Sequence, residues 1–500
     1  VNRSMSLSAT AVASTCNTAP PTLLFKWTIL DAQMLPLLLD ASVQVNVNSI
    51  SIPPFTLLAG RTYFANLSVT DKNAVCILPE QCTLPTYAPS QCCAVGSDLV
   101  SFETGHSFPL AKIVGGERKA SAQTELQLDG SRSFHPDYPG AQQPTLQYKW
   151  TCKDTPPSNF GTSSKGGCFG IGGIEFGSRT GKNMVIPPGS MRASTMVNGP
   201  YVPVVYDFSL NVSDTISWNI ATVRVHPTSE SVPLVSVMIN DVKRVYPPNL
   251  RISLISMVKP AAAPMDTLTY EWKTVIGDVD LTKNQYLLSL NSRGKGLVIK
   301  PHVLTSGQQY TVRLSVMENG KAGFDQITFI MDNPPSGGVF ELSPTTGISL
   351  DTRFKLSAVN WQVDQETLPM SYTFEYLRQG SSIFRLVQGA SESSVVNAML
   401  PPGFSGDSNE WALQLRISNL VGSETLAKTC NLIAGDCMVK VMPKAYASTE
   451  AMMTDLTARS SVIEQLILAG DPNGAINYAI LLLSAMNSAQ VGTRRRSLLA

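Results

Sequence analysis

Most of the features that announce a chemical function are missing from this chain of 500 residues. Its four histidines, His106, His135, His226 and His302, lie far apart, so no Ser/His/Asp or Cys/His arrangement can be read from the sequence. No apolar run reaches the roughly 18 residues needed to span a bilayer, and the longest candidate, Tyr478 to Met486, is far too short. Charge is scarce at 15% of residues, against a usual figure of about 25%. The 38 basic and 37 acidic side chains nearly cancel, leaving +1 and no basic stripe with interleaved aromatics, which argues against nucleic-acid binding. Gly177-Ser178-Arg179-Thr180-Gly181-Lys182 glances at a phosphate loop, but Phe176 and Asn183 stand where that loop needs glycine and Ser/Thr. A glycine-rich surface insertion is the better reading.

What is present is repetition. Phe25-Lys26-Trp27, Tyr148-Lys149-Trp150, Tyr270-Glu271-Trp272 and Tyr372-Thr373-Phe374 are each followed by an alternating strand. Those strands open at Tyr63, Tyr206, Tyr310 and Trp411. The anchors at 27, 150, 272 and 374 are 123, 122 and 102 residues apart, the size of one β-sandwich domain. A proline-marked turn recurs between anchor and later strand, as in Pro53-Pro54, Pro187-Pro188, Pro301 and Pro401-Pro402. The expected fold class is therefore mainly β: tandem sandwiches at 1–100 (truncated, with a Cys-rich insertion), 101–232, 233–333 and 334–441, joined by short linkers into a stiff rod or stack. A helical pair is expected over 442–487, because Ala451, Met452, Leu456, Val462, Ile463, Leu466 and Ile467 form a helical stripe before Gly470-Asp471-Pro472-Asn473-Gly474. A basic linker, 488–500, follows. Two such helices cannot bury their apolar faces alone, so the fourth sandwich or a missing partner must cover them. The chain opens on Val1 with no initiator methionine or signal peptide, so it reads as a piece of a larger protein whose membrane anchor lies elsewhere.

The nine cysteines have no CxxC pair, and no histidine lies within the cluster Cys76, Cys82, Cys92 and Cys93. Disulfides are favoured there over zinc, although the connectivity of these four and Cys16 stays open. Cys152 and Cys168 bracket a glycine-rich insertion, and Cys430 and Cys437 bracket a short turn, so each pair is expected to close on itself. Asn2, Asn66 and Asn211 begin Asn-x-Ser sequons, and together with the cysteines they point to an oxidising, extracellular compartment. Asp71, Asp129, Asp137 and Asp214 could gather at sandwich ends around calcium, but turn capping is the simpler role for each. The tryptophans read as core anchors under their strands, and only Trp218 or Trp361 is a candidate for exposure to a ligand.

Two segments carry a family resemblance. Leu126-Gln127-Leu128-Asp129-Gly130-Ser131, the loop through His135 and Asp137, and Tyr148-Lys149-Trp150 resemble PKD-type sandwiches, with His135 where that family carries an acid. Asn333-Pro334-Pro335-Ser336-Gly337-Gly338, Ser343-Pro344-Thr345-Thr346-Gly347, Phe354-Lys355-Leu356, Trp361, Asp364 and Leu368-Pro369-Met370-Ser371-Tyr372 resemble the REJ module. The chain thus resembles the polycystin-1/receptor-for-egg-jelly family over about residues 20 to 440, with Fn3/PKD-like domains upstream. Its helices resemble the start of a GAIN-like subdomain. His302-Val303-Leu304-Thr305 departs from the cleavage step of such domains by one extra residue and is expected to be a plain turn. The tail Arg494-Arg495-Arg496 to Ala500 resembles linkers of volvocine green-algal proteins.

The resemblance implies an ectodomain at the extracellular face of the plasma or ciliary membrane, reaching the bilayer through segments outside this fragment. It implies adhesion, ligand sensing or force transmission, with a polycystin-2-type cation channel subunit, a cell-surface protein or a glycan as partner. No catalytic residue, cofactor or metal is assigned. The rival readings are accessory modules of a secreted enzyme whose catalytic domain is absent, and a structural filament or cell-wall component.

Overall fold

The computed structural model describes residues 5–9, 23–40, 43, 45–46, 49–53, 55–71, 96–156, 158, 160–161, 163–193, 195–196, 201–240, 243–262, 267–289, 292–377, 383–403, 408–428, 437–468, 472–488 and 490–491. These form two compact units, Ser107–Pro334 with Val421–Ser423, and the remainder, Val1–His106, Pro335–Leu420 and Glu424–Ala500. The fold is mainly β, with two C-terminal helices.

The four aromatic anchors are buried, Trp27 at 7% exposure and Trp150, Trp272 and Phe374 at 0%. In the first repeat β1 (Leu23–Leu30) carries Trp27 and pairs antiparallel with β2 (Thr62–Asp71). The strand Gly96–Glu103 pairs with the other edge of β2, so the first sandwich continues past residue 100. In the second repeat β3 (Arg118–Ser121) precedes β4 (Gln147–Thr155), β5 (Val205–Ser213) and β6 (Trp218–Thr228). The third contributes β7 (Thr269–Ile276), β8 (Gln309–Glu318) and β9 (Lys321–Ile330), and the fourth β10 (Ser371–Leu377) and β11 (Glu410–Ser418). Alternation decides which side chains enter the core. In β5, Tyr206, Phe208, Leu210 and Val212 are fully buried while Asp207, Ser209 and Asn211 face outward.

A second aromatic position repeats beside the anchors. The hydroxyls of Tyr63, Tyr206 and Tyr310 accept the backbone N–H of Leu58 (2.9 Å), Arg192 (2.9 Å) and Thr305 (2.8 Å). This is the tyrosine-corner device of immunoglobulin-like sandwiches, which pins a crossover loop to the strand below it. The fourth repeat exchanges its aromatics. Phe374 fills the tryptophan slot, and Trp411 stands where the other repeats have tyrosine, donating its indole N–H to Pro401 O at 2.8 Å. Trp150 and Trp272 likewise donate to a carbonyl of the strand or loop beside them, Gly181 and Gly294, each at 2.9 Å.

The helical pair is α1 (Thr449–Leu468) and α2 (Pro472–Ser488). Leu456 of α1 and Leu481, Leu482 and Ala485 of α2 bury with Leu350 of the fourth sandwich. The sandwich thus supplies the cover that the helices need. A second apolar stripe on α2, Ile476, Ile480, Leu483 and Met486, is exposed. A polar clamp holds α1: Arg459 binds Asp351 (2.8 Å), Asp455 (3.0 Å) and the carbonyl of Leu350, and Lys444 binds Asp351 (2.9 Å) and Asp455 (3.2 Å). Among the described residues no helix is long and apolar enough to cross a membrane.

Candidate functional site at a shared strand

β3 is only four residues long, yet it holds two sandwiches in one sheet. It runs parallel to β6, with Val225 opposite Arg118 and Thr228 opposite Ser121. Its other edge pairs antiparallel with β9, with Asp325 opposite Arg118 and Phe324 opposite Lys119. The result is one eight-stranded sheet in the order Arg179–Thr180, β4, β5, β6, β3, β9, β8, β7. The third sandwich's own first strand, Leu234–Ile239, lies in its other sheet, beside Ile252–Lys259. The edge of β9 is therefore closed by a strand of the preceding repeat, which removes two exposed sheet edges at once.

A buried charge pair sits on this seam. Arg118 is 2% exposed and Asp325 is 0% exposed. The Asp325 carboxylate accepts three backbone N–H groups, from Gly116 (2.9 Å), Gln326 (3.0 Å) and Val237 (2.6 Å). Those donors come from the segment entering β3, from β9 and from the third sandwich's first strand, so one side chain ties three segments together. Arg118 Nε lies 3.8 Å from Asp325 Oδ1, and the guanidinium donates instead to Val114 O (2.6 Å) and Gly116 O (3.3 Å). The two charges are thus mutually compensating while their hydrogen bonds go to backbone. Burial pushes the Asp325 carboxyl above its ordinary range, against the opposing pull of Arg118 and the three N–H groups.

Glycine is required here by the close approach. A Cβ on Gly115, whose φ is +81°, would meet Arg118 Nη2 at 2.2 Å, and one on Gly116 would meet Gln326 O at 1.9 Å. Around the pair, Glu117 links both sandwiches, bound to His226 Nε2 at 2.6 Å and accepting Gln326 Nε2 at 2.9 Å. Arg313 donates to Gln326 Oε1 and stacks on Phe324, its guanidinium carbon 4.1 Å from the ring centre.

The residues singled out by sequence fall elsewhere. Cys152 and Cys168 are disulfide-bonded, with Cα atoms 5.4 Å apart, as their spacing suggested. Cys437 is also disulfide-bonded. Cys16, Cys76, Cys82, Cys92, Cys93, Cys430 and Asn2 lie outside the described residues. Asn66 and Asn211 are half-buried on β2 and β5.

Asp129 Oδ1 accepts the N–H of Ser131 at 2.8 Å, an Asx turn, and Asp214 Oδ1 does the same for Ile216 (2.7 Å) and Ser217 (2.6 Å). Asp137 binds the N–H and hydroxyl of Ser107. His135 is fully buried; its Nδ1 accepts the N–H of Asp137 (3.2 Å), which leaves Nε2 to donate to Asp214 Oδ2 at 2.9 Å. Where the PKD pattern has an acid, this histidine braces two loops.

The phosphate-loop lookalike is an edge strand, Arg179–Thr180, paired with Trp150 and Lys149. His302 occupies a turn, its N–H donating to Pro248 O at 2.7 Å. Trp218 is 60% exposed, whereas Trp361 is half-covered and packs on the fourth core over Gly338, where a Cβ would meet its ring at 2.3 Å. Of the two candidates, Trp218 is therefore the exposed ring and Trp361 is not. That contact explains the second glycine of Ser336-Gly337-Gly338; the first has φ +76°.

Comparison with known proteins matches residues 106–481 to the profile of the REJ domain. The chain belongs to the REJ domain family. Human Polycystin-1 is 27% identical over 399 residues, an alignment covering 75% of this chain and 8% of that protein. The REJ chain therefore spans a small part of its relative's length. Among solved structures it is similar to the first four immunoglobulin domains of Sidekick-1 (14% identity, TM-score 0.23, covering 85% of this chain and 93% of that one). It is also similar to titin domains A168–A170 (13% identity, TM-score 0.22, covering 65% and 96%).

Proposed function

We propose that this REJ chain is part of the ectodomain of a polycystin-1-like membrane protein, and that it acts in adhesion, ligand sensing or force transmission to an associated polycystin-2-type cation channel. It works at the extracellular face of the plasma or ciliary membrane, without a chemical step. The observation that supports this reading most is the sheet continuous through the second and third sandwiches. Tandem sandwiches joined only by a linker yield one at a time under load. Here β3 is hydrogen-bonded to the closing strands of both, so a pull along the chain must shear a shared strand before either sandwich opens.

Single-molecule pulling of the chain tests this. Ser107–Pro334 should extend in one merged event of about 75 nm at roughly 3.5 Å per residue, once the loop closed by Cys152–Cys168 is excluded. Two separate events of roughly 35–40 nm each would remove the support for force transmission through this seam.

A further inference from the structure

We propose that an exposed apolar patch on the second sandwich, formed by Ile216, Trp218 and Ile220, is covered by the chain's own carbohydrate: the first N-acetylhexosamine of a glycan carried on Asn211. The three side chains are 75%, 60% and 47% exposed. Ile216 lies in the turn between β5 and β6, and the other two lie on β6. Apolar side chains grouped on an outer sheet face mark a surface that something covers. The strand register places a sequon among them. Asn211 of Asn211-Val212-Ser213 stands directly opposite Ile220, and Ser213 stands opposite Trp218. Trp218 is thus a diagonal neighbour of Asn211 on the same outward face, about 7–8 Å away. A pyranose on Nδ2 reaches across that gap.

The fold itself gives no reason for an asparagine here. Asparagine is a poor strand former, and the buried Oδ1 of Asn211 has no hydrogen-bond partner. Its neighbours on the same face pair with each other instead, Ser209 with Thr222 at 3.0 Å. The sequon at Asn66 has the same setting, for Asn66 stands opposite Leu99, which is 48% exposed. The C–H face and acetamido methyl of an N-acetylhexosamine pack on an indole, and its hydroxyls find Lys149, opposite Asn211 on β4. The transfer is made before the chain folds, from a lipid-pyrophosphate oligosaccharide. Asn211 Nδ2 attacks the anomeric carbon, one N–C bond forms, and the C–O bond to the pyrophosphate breaks. The amide proton leaves with the lipid pyrophosphate.

The proposal rests on the extracellular setting proposed above, and its test is chosen to be independent of it. The full chain is secreted from a eukaryotic host, which supplies the transfer machinery whatever the native compartment, so a negative result is a property of this face. Mass spectrometry of glycopeptides should find Asn211 occupied in most molecules. Trp218 is the most exposed of the six tryptophans, so acrylamide quenching of fluorescence reads its ring first. Quenching should be roughly twofold greater in Ser213→Ala, which loses the sequon and keeps Asn211, and in the parent after peptide-N-glycosidase treatment. In Trp218→Gln the enzyme should leave quenching unchanged. The proposal is overturned if Asn211 is unoccupied, or if it is occupied and removing the sugar leaves the quenching of the parent unchanged. The enzymatic comparison uses the parent chain, so it decides the matter even if Ser213→Ala fails to fold.

Discussion

Replacing Asp325 with alanine should separate what the seam contributes from what each sandwich contributes. The substitution removes the acceptor of three backbone N–H groups, those of Gly116, Val237 and Gln326, in a site with no access to water. Each buried donor left unmade costs about 1–3 kcal/mol. It also strands Arg118, 2% exposed, without a counter-charge, and breaking a buried pair from one side typically costs about 3–5 kcal/mol. These costs overlap, since the cavity can relax or admit a water, so we place the total at about 3–5 kcal/mol rather than at their sum. For a unit of this size that corresponds to a fall in Tm of roughly 10 °C.

The double variant Arg118→Met, Asp325→Leu sharpens the test. Removing both charges together with shape-filling apolar side chains avoids the stranded cation, so the double variant should be more stable than Asp325→Ala. Equilibrium unfolding in urea would measure both. In the parent the second and third sandwiches should unfold in one transition, and in Asp325→Ala in two. The reasoning fails if Asp325→Ala stays within about 0.5 kcal/mol of the parent, or if the double variant costs the sum of the two single changes.

Three further outcomes follow from the same structure. Burial resists ionisation of Asp455, but hydrogen bonds from Tyr446, Arg459 and Lys444 outweigh it and hold the carboxyl below its ordinary 3.8. The stability it contributes is therefore present above pH 3.8 and lost as pH falls through the depressed value, so helix protection against hydrogen exchange should weaken in acid, whereas in Asp455→Asn it should already be weaker at neutral pH and lack that acid step. Tyr310→Phe removes the corner hydroxyl that takes the Thr305 N–H and binds Asp278, and should cost about 1–2 kcal/mol by thermal unfolding; an unchanged Tm would mean that the corner is passive. Opening the Cys152–Cys168 loop by a double change to serine should cost about 3 kcal/mol, since the separation of 16 residues sets the chain entropy, and reductant should no longer shift the melting of Ser107–Pro334 in that variant.

Much of the fold was legible because sandwich strands betray themselves by alternation, and because a tryptophan under a strand recurs at domain spacing. The strands opening at Tyr63, Tyr206 and Tyr310 are legible on that basis, but nothing local marks a hydroxyl that reaches an N–H five or fourteen residues upstream. The repetition of tyrosine at the start of three strands was the available signal, and the exchange of Phe374 and Trp411 in the fourth repeat obscured it. The seam was illegible for a different reason. Arg118-Lys119-Ala120-Ser121 reads as a polar surface stretch, since an arginine without a visible partner belongs in water. Its partner lies 207 residues away on β9, where Asp325 and Gln326 are buried in succession and break the alternation expected of a half-covered strand.

That break carries the argument. A strand with one face in the core and the other in water alternates, and a strand enclosed on both faces does not. On β9 the run Gly323 to Ile327 is almost continuously covered, because β3 of the preceding repeat closes its edge and Glu117, just before that strand, binds Gln326. Polar residues at such positions can be kept only if each finds a partner, which is why Asp325 takes three N–H groups and Gln326 bridges Arg313 and Glu117. A pair of buried polar residues at the centre of an otherwise regular strand is thus a sign that the strand does not end its domain. It marks the place where one repeat is built into the next.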